Sequence, residues 1–218
     1  MRYRSALLLA SFFGLAAAQP SPDQSNLNGP LAVFLGTDHP TSPRVLDAMK
    51  HEVEAAVALS GIRVKWMFLG ENTGVYSRIA LLNLRGECNP DALTPASIPA
   101  PKGDTEPLGQ TQVVDGQVLP FADIRCDSVR RLIGRDLRSF PAEDHAELLG
   151  RALGRVMAHE LYHVLLRTTN HGRDGLARPV QSSADLLAPR DDFAQSDQRK
   201  LTESGDSDTS GFEPAAGR

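Results

Sequence analysis

The period of the hydrophobic positions changes along the chain, and each change marks an element. Residues 31–35 are continuously apolar, the pattern of a buried strand. Ser42-Pro43 opens a helical period carried by Val45, Leu46, Met49, Val53, Ala56 and Val57, and Ser60-Gly61 closes it. This predicts a helix with a serine cap and a proline in its first turn. Over residues 62–69 the period falls to two, with Ile62, Val64, Trp66 and Phe68 set against Arg63 and Lys65, and residues 79–84 form another apolar run. Both predict strands. Residues 86–109 hold many of the prolines and no period, which predicts a long surface loop placed to flank a cleft. A hairpin follows, with arms 112–114 and 117–119 around Asp115-Gly116. Its second arm runs on through 121–125, and Pro120 predicts a position near a sheet edge.

Residues 127–137 return to helical spacing and carry part of a basic cluster: Arg125, Arg130, Arg131, Arg135 and Arg138. A solvated face is the expectation for this cluster; the alternative is a patch for an acidic partner. Ser139, Pro141 and the acids after it read as the start of the main helix, over 141–166. Its apolar stripe runs through Leu149, Ala152 and Val156 and then reaches His159 and His163, so the two imidazoles project from the face that should be buried. A short closing helix is expected over 182–187. Residues 188–218 are polar and rich in Ser, Asp and Gly, which predicts a disordered tail. The fold class expected is α+β: a small twisted mixed β-sheet, a backing helix and the long His-bearing helix, within one domain over 31–187.

The first 18 residues narrow the setting. Arg2 and Arg4 precede an apolar stretch over 6–17, and Ala16-Ala17-Ala18 offers a small-residue cleavage site. We expect a signal peptide over 1–18 and a flexible leader over 19–30, hence a secreted or periplasmic protein. The alternative is an N-terminal anchor, but the run is short for a membrane span, and no stable insertion is expected. Losing Arg2 and Arg4 takes the net charge from −4 to −6, which argues against nucleic acid or an anionic membrane as partner. The two cysteines, Cys88 and Cys126, read as a disulfide in such a chain; the alternative is two free thiols.

His159-Glu160-Leu161-Tyr162-His163 carries the candidate chemistry. Imidazoles at i and i+4 lie one turn apart on one face and can reach a single metal ion, for which Zn²⁺ is the expected choice. Glu160, about 100° round the helix, sits beside the metal, where a carboxylate can take a proton from bound water. Two buried histidines flanking a Glu without a metal would leave several polar groups to satisfy. A catalytic site needs a third protein ligand. His171 is the candidate, with Asp174 and Asp185 as rivals. On a continuous helix His171 would stand about 18 Å from His159, so the helix must end and the chain turn back. Weak helix formers at 167–170 and the turn residues Gly172 and Gly175 supply that break. His145 is about 21 Å from His159 along the axis and is too far. His39 and His51 read as ordinary polar positions. Tyr162 points away from the two histidines and is assigned to packing.

From this motif the sequence resembles the zincin metallopeptidases, on the metzincin side, where the third ligand is a His after a turn. It also resembles secreted bacterial proteins in which the second and third His are spaced like His163 and His171. The resemblance covers about 158–189. It implies His159, His163 and His171 as zinc ligands, Glu160 as general base and a peptide or protein as substrate. Gly175-Leu176-Ala177 stands where the resembled pattern has Gly-Ile-Met, no Met follows Met157, and the gap between the second and third His differs. Those departures favour the alternative of a secreted zinc-binding or interaction domain with little turnover. Retention of Glu160 argues for the enzyme.

Overall fold

The computed structural model describes residues 29–68, 76–90 and 106–207. The expected signal peptide, most of the leader, residues 91–105 of the proline-rich loop and the last eleven residues of the tail lie outside the described residues.

Five strands form one mixed sheet. In chain order they are β1 (Leu31–Thr37), β2 (Val64–Phe68), β3 (Ile79–Arg85), β4 (Gly109–Val114) and β5 (Gln117–Arg125). Their spatial order is β2-β1-β3-β5-β4. The first four in that order run parallel, and β4 closes the edge antiparallel to β5. The central strands lose water on both faces, which is why Leu31, Ala32, Val33 and Leu35 needed no polar alternation.

The hairpin between β4 and β5 forms at the expected dipeptide. Asp115 and Gly116 both take positive φ, 51° and 76°, as a two-residue turn of the type I′ class requires. The placement of its second arm is corrected. β5 lies inside the sheet, between β3 and β4. Pro120 falls where the β4–β5 register shifts, between the pairs Thr111–Ala122 and Val113–Val118, and pairing with β3 begins only at Phe121. A proline is tolerated inside a sheet at such an irregularity because no ladder hydrogen bond is asked of it.

Helix α1 (Pro43–Ala58) begins at the expected cap, with the Ser42 hydroxyl accepting from the Val45 amide at 3.3 Å. The main helix, α3 (His145–Leu166), starts later than expected because 142–144 form a 3-10 turn first. These two helices pack against each other at unusually close range. A Cβ at Gly150 would lie 2.5 Å from the Val45 carbonyl oxygen, and one at Gly154 would lie 2.7 Å from that of Met49. Only glycine allows the backbones so near. Arg155, fully buried, spans the same interface: its Nε donates to Glu52 at 2.7 Å and its Nη1 donates to the Asp185 carbonyl.

Helix α2 (Cys126–Leu137) begins at one end of a disulfide, Cys88–Cys126, with Cα atoms 5.0 Å apart and a sequence separation of 38. In the chain-entropy account such a loop closure stabilises by roughly 4 kcal/mol. The basic cluster is not a uniform solvated face. Arg130 is 4% exposed and donates to the Glu87 carbonyl and to Asp127, and Arg125 and Arg131 converge on Glu106.

The tail expectation is also corrected. A short helix, α4 (Ser183–Leu187), is followed by α5 (Gln195–Ser207). Phe193, Asp197 and Leu201 are all buried. They recur every four residues, a single narrow stripe that the polar composition around it conceals. Among the described residues no helix is long and apolar enough to cross a membrane.

Candidate metal centre

His159 and His163 lie on the C-terminal half of α3, and the helix stops just beyond them. Arg167 takes the left-handed conformation, φ 49°, and its amide bonds back to the last turn. The chain therefore reverses at a non-glycine residue, ahead of Gly172. Thr168 then sits against the helix end, where its amide donates to the His163 carbonyl at 3.2 Å and its carbonyl accepts from the His163 ring Nδ1 at 2.8 Å. The loop beyond passes beneath the other ring, and Leu176 offers its carbonyl to His159 Nδ1 at 2.7 Å.

Those two backbone carbonyls decide the tautomers. An imidazole that donates from Nδ1 carries a lone pair on Nε2. The two Nε2 atoms face each other at 3.2 Å. Burial pushes the pKa of both rings down, so the neutral forms prevail at neutral pH. Two lone pairs this close repel unless a cation lies between them. Tetrahedral zinc with bonds of 2.0–2.1 Å would set two ligand nitrogens about 3.3 Å apart. The donor set fits that metal.

The turn after α3 brings His171 to the same place. Its ring centroid is 5.2 Å from that of His159 and 4.7 Å from that of His163. The ligand atoms of the three lie within 4.8 Å of one another, and no other such group of metal-binding side chains occurs among the described residues. The two rivals stand elsewhere. Asp185 caps α4 through Ser182 and pairs with Arg178 at 2.7 Å. Asp174 lines a separate cavity beyond His171, with Asp197 and Lys200. His39 and His51 are exposed, and His145 bonds the Phe140 carbonyl at 3.0 Å.

Glu160 is 5% exposed and lies under the edge strand. Its Oε2 accepts from the Thr111 hydroxyl at 2.6 Å. A Cβ at Gly109 would come within 2.5 Å of its Oε1, so the strand passes the carboxylate only because residue 109 has no side chain. Burial raises the carboxyl pKa above its ordinary value, while the bond from Thr111 pulls it part of the way back. A carboxylate held in that state is a stronger proton acceptor than one in water.

The three histidines and Glu160 open on a cleft of about 300 Å³. One wall is β4 with Leu108 and Val113; the other is the returning loop, with Thr168, Pro179 and Gln181. The end of the proline-rich loop, 107–109, does line this cleft, anchored by Glu106 on Arg125 and Ser128. Sequence reasoning missed Gly109, Thr111 and the carbonyls of Thr168 and Leu176. A carbonyl has no sequence signature, and the contact from Thr111 to Glu160 spans 49 residues.

Where the resembled pattern has Gly-Ile-Met, Leu176 and Ala177 are both fully buried beneath the site. The support reaching His159 there is a backbone carbonyl. Tyr162 packs as expected: it stacks on Phe193 at 5.7 Å, and its hydroxyl donates to Asp197 at 3.2 Å.

No family model matches this sequence, and no curated protein matches it either. The fold does have a solved counterpart. The crystal structure of archaemetzincin from Methanopyrus kandleri superposes with a TM-score of 0.51 at 15% identity, over 80% of this chain and 95% of that one. The fold is therefore zincin-like: a mixed sheet backed by helices.

Proposed function

We propose that this chain is a secreted zinc-dependent metallopeptidase. The observation that carries the proposal is the pair of imidazole lone pairs 3.2 Å apart on half-buried His159 and buried His163, with His171 beside them and a buried carboxylate one residue away. His159, His163 and His171 would hold the ion. Zinc, when bound, supplies Lewis acidity, polarising a carbonyl and lowering the pKa of a water from 15.7 to about 7. Glu160 is the general base: Thr111 orients its Oε2, which leaves Oε1 to take a proton and return it to the departing amine. Among the described residues β4 has no strand paired on its outer edge, which lies beside the cleft, and an extended peptide can add to such an edge through main-chain hydrogen bonds. The likeness to archaemetzincin supports this reading at the level of the fold. The N-terminal pattern supports export, and the Cys88–Cys126 bridge suits an oxidising compartment.

A second reading, a zinc-binding domain with little turnover, draws on Leu176-Ala177 beneath the site. Glu160→Gln separates the two. Elemental analysis should find about one zinc per chain in wild type and variant alike. Cleavage of an unstructured peptide library should drop about 10²–10⁴-fold in the variant. Activity that survives the change would remove Glu160 from the mechanism, and a wild type that binds zinc but cleaves nothing would favour the binding domain.

A further inference from the structure

We propose that Asp197, on α5, is a positioning residue for the third imidazole: it locks the 171–177 loop so that His171 stands over the His159/His163 pair. This rests on the zinc reading above.

The three histidines are not held alike. His159 and His163 sit on a helix, and each ring is tied to a carbonyl. The His171 side chain is exposed, and among the described residues its ring has no hydrogen-bond partner. Apart from its ring contacts with His159 and His163, its place is set by its loop. That loop closes on itself where the Gly172 amide donates to the Ala177 carbonyl at 2.8 Å. It is tied to the terminal segment by an isolated antiparallel bridge between Gly175 and Phe193, in which the Leu176 amide donates to the Asp192 carbonyl at 3.1 Å.

Asp197 makes a second contact with the loop, by close packing and nearest the ligand. Its side chain is 2% exposed, and its Oδ2 lies so close to Gly172 that a Cβ there would overlap it. Its Oδ1 accepts from the Tyr162 hydroxyl at 3.2 Å and from Lys200 Nζ at 2.7 Å. Tyr162 lies on α3 between the two helical ligands, and its ring edge meets His163 at 5.6 Å. One carboxylate thus joins the helix that carries two ligands to the residue that follows the third. Packing alone gives no reason for a buried charge here, because an apolar side chain of similar volume serves stability at least as well. A fixed hydrogen-bond acceptor does serve geometry, as the outer partners of metal ligands do.

The test is a zinc-affinity cycle on the full chain: wild type, Asp197→Ala, His171→Ala and the double variant, by competition with a chromogenic chelator. Asp197→Ala should weaken zinc about tenfold in the wild-type background. With His171 already gone it should add almost nothing. Asp197→Asn keeps the shape and an acceptor for Tyr162, so it should give a smaller loss of the same kind; it carries the test if the alanine variant does not fold. Circular dichroism of the metal-free proteins checks folding. An unchanged affinity in Asp197→Ala beside a zinc-loaded wild type overturns the positioning role and leaves the metal site standing. Equal losses with and without His171 overturn it too, reducing Asp197 to packing. A wild type that takes up no zinc overturns the metal reading, and this role falls with it.

Discussion

The two halves of α3 bury ionisable groups in opposite ways. In the N-terminal half, Arg155 is fully buried, but Glu52 and the Asp185 carbonyl meet its guanidinium, and Gly150 and Gly154 bring α1 into direct contact. Its charge is paired with Glu52 within the protein, and of its guanidinium nitrogens only Nη2 lacks a hydrogen-bond partner among the described residues. In the C-terminal half, His159, Glu160 and His163 are also largely buried, yet their free nitrogen and oxygen atoms converge on a cleft. The protein answers only the far side of each ring and one oxygen of the carboxylate. Buried polar groups paired by the fold serve structure; buried polar groups oriented by the fold and left open toward a cavity serve a ligand.

The contrast can be broken by substitution. Arg155→Ala should be the most damaging change, because it leaves Glu52 without its partner at a closed interface. A loss of about 3–5 kcal/mol is expected, read from the denaturant midpoint. A protein as stable as wild type would mean that the N-terminal half is not the structural one. Thr111→Val works on the other half. It removes the bond that lowers the Glu160 pKa, so that pKa rises further and the acid limb of the pH–rate profile moves to higher pH. Cleavage at neutral pH should fall about tenfold with zinc content unchanged, the size expected for one lost orienting hydrogen bond. A profile that does not move would detach Thr111 from the base.

The smallest effect is a matter of pH. Burial lowers the His159 and His163 pKa values below the ordinary 6.5, so between the two values the unfolded chain binds more protons than the folded one. Stability of the metal-free protein from these rings is present above 6.5 and is lost as pH falls through 6.5 toward the lowered values. Zinc affinity should likewise hold through 6.5 and decline only below it, as protons compete for Nε2. Chelator titrations from pH 5 to 8 would check this. A steep decline already above 6.5 would contradict the lowered values.

Much of the site was legible in the chain, and what was legible was local. The i, i+4 spacing of His159 and His163, the place of Glu160 between them and the need for a turn before His171 follow from helix geometry. So do the Ser42 cap and the Asp115-Gly116 turn, each a short-range hydrogen-bonding or steric preference. The errors were made where a local cue met a distant partner. Pro120 signalled an irregularity, and the sheet placed it in a register shift inside the sheet. Arg130 looked solvated until the Glu87 carbonyl, 43 residues away, closed on it. The tail looked disordered because its buried stripe is only Phe193, Asp197 and Leu201.

The sequence by itself determined which side chains could hold a metal and that two of them shared a helical face, because covalent spacing and helical pitch fix that distance. Tertiary structure decided the rest. The fold laid Gly109 over Glu160, set Thr111 against it across 49 residues, and set Glu52 against Arg155 across 103 residues. It also brought two loop carbonyls under the rings, which chose the tautomers and so turned two histidines into a pair of converging lone pairs. No local propensity encodes such contacts, because each depends on where the remaining chain can pack at native density.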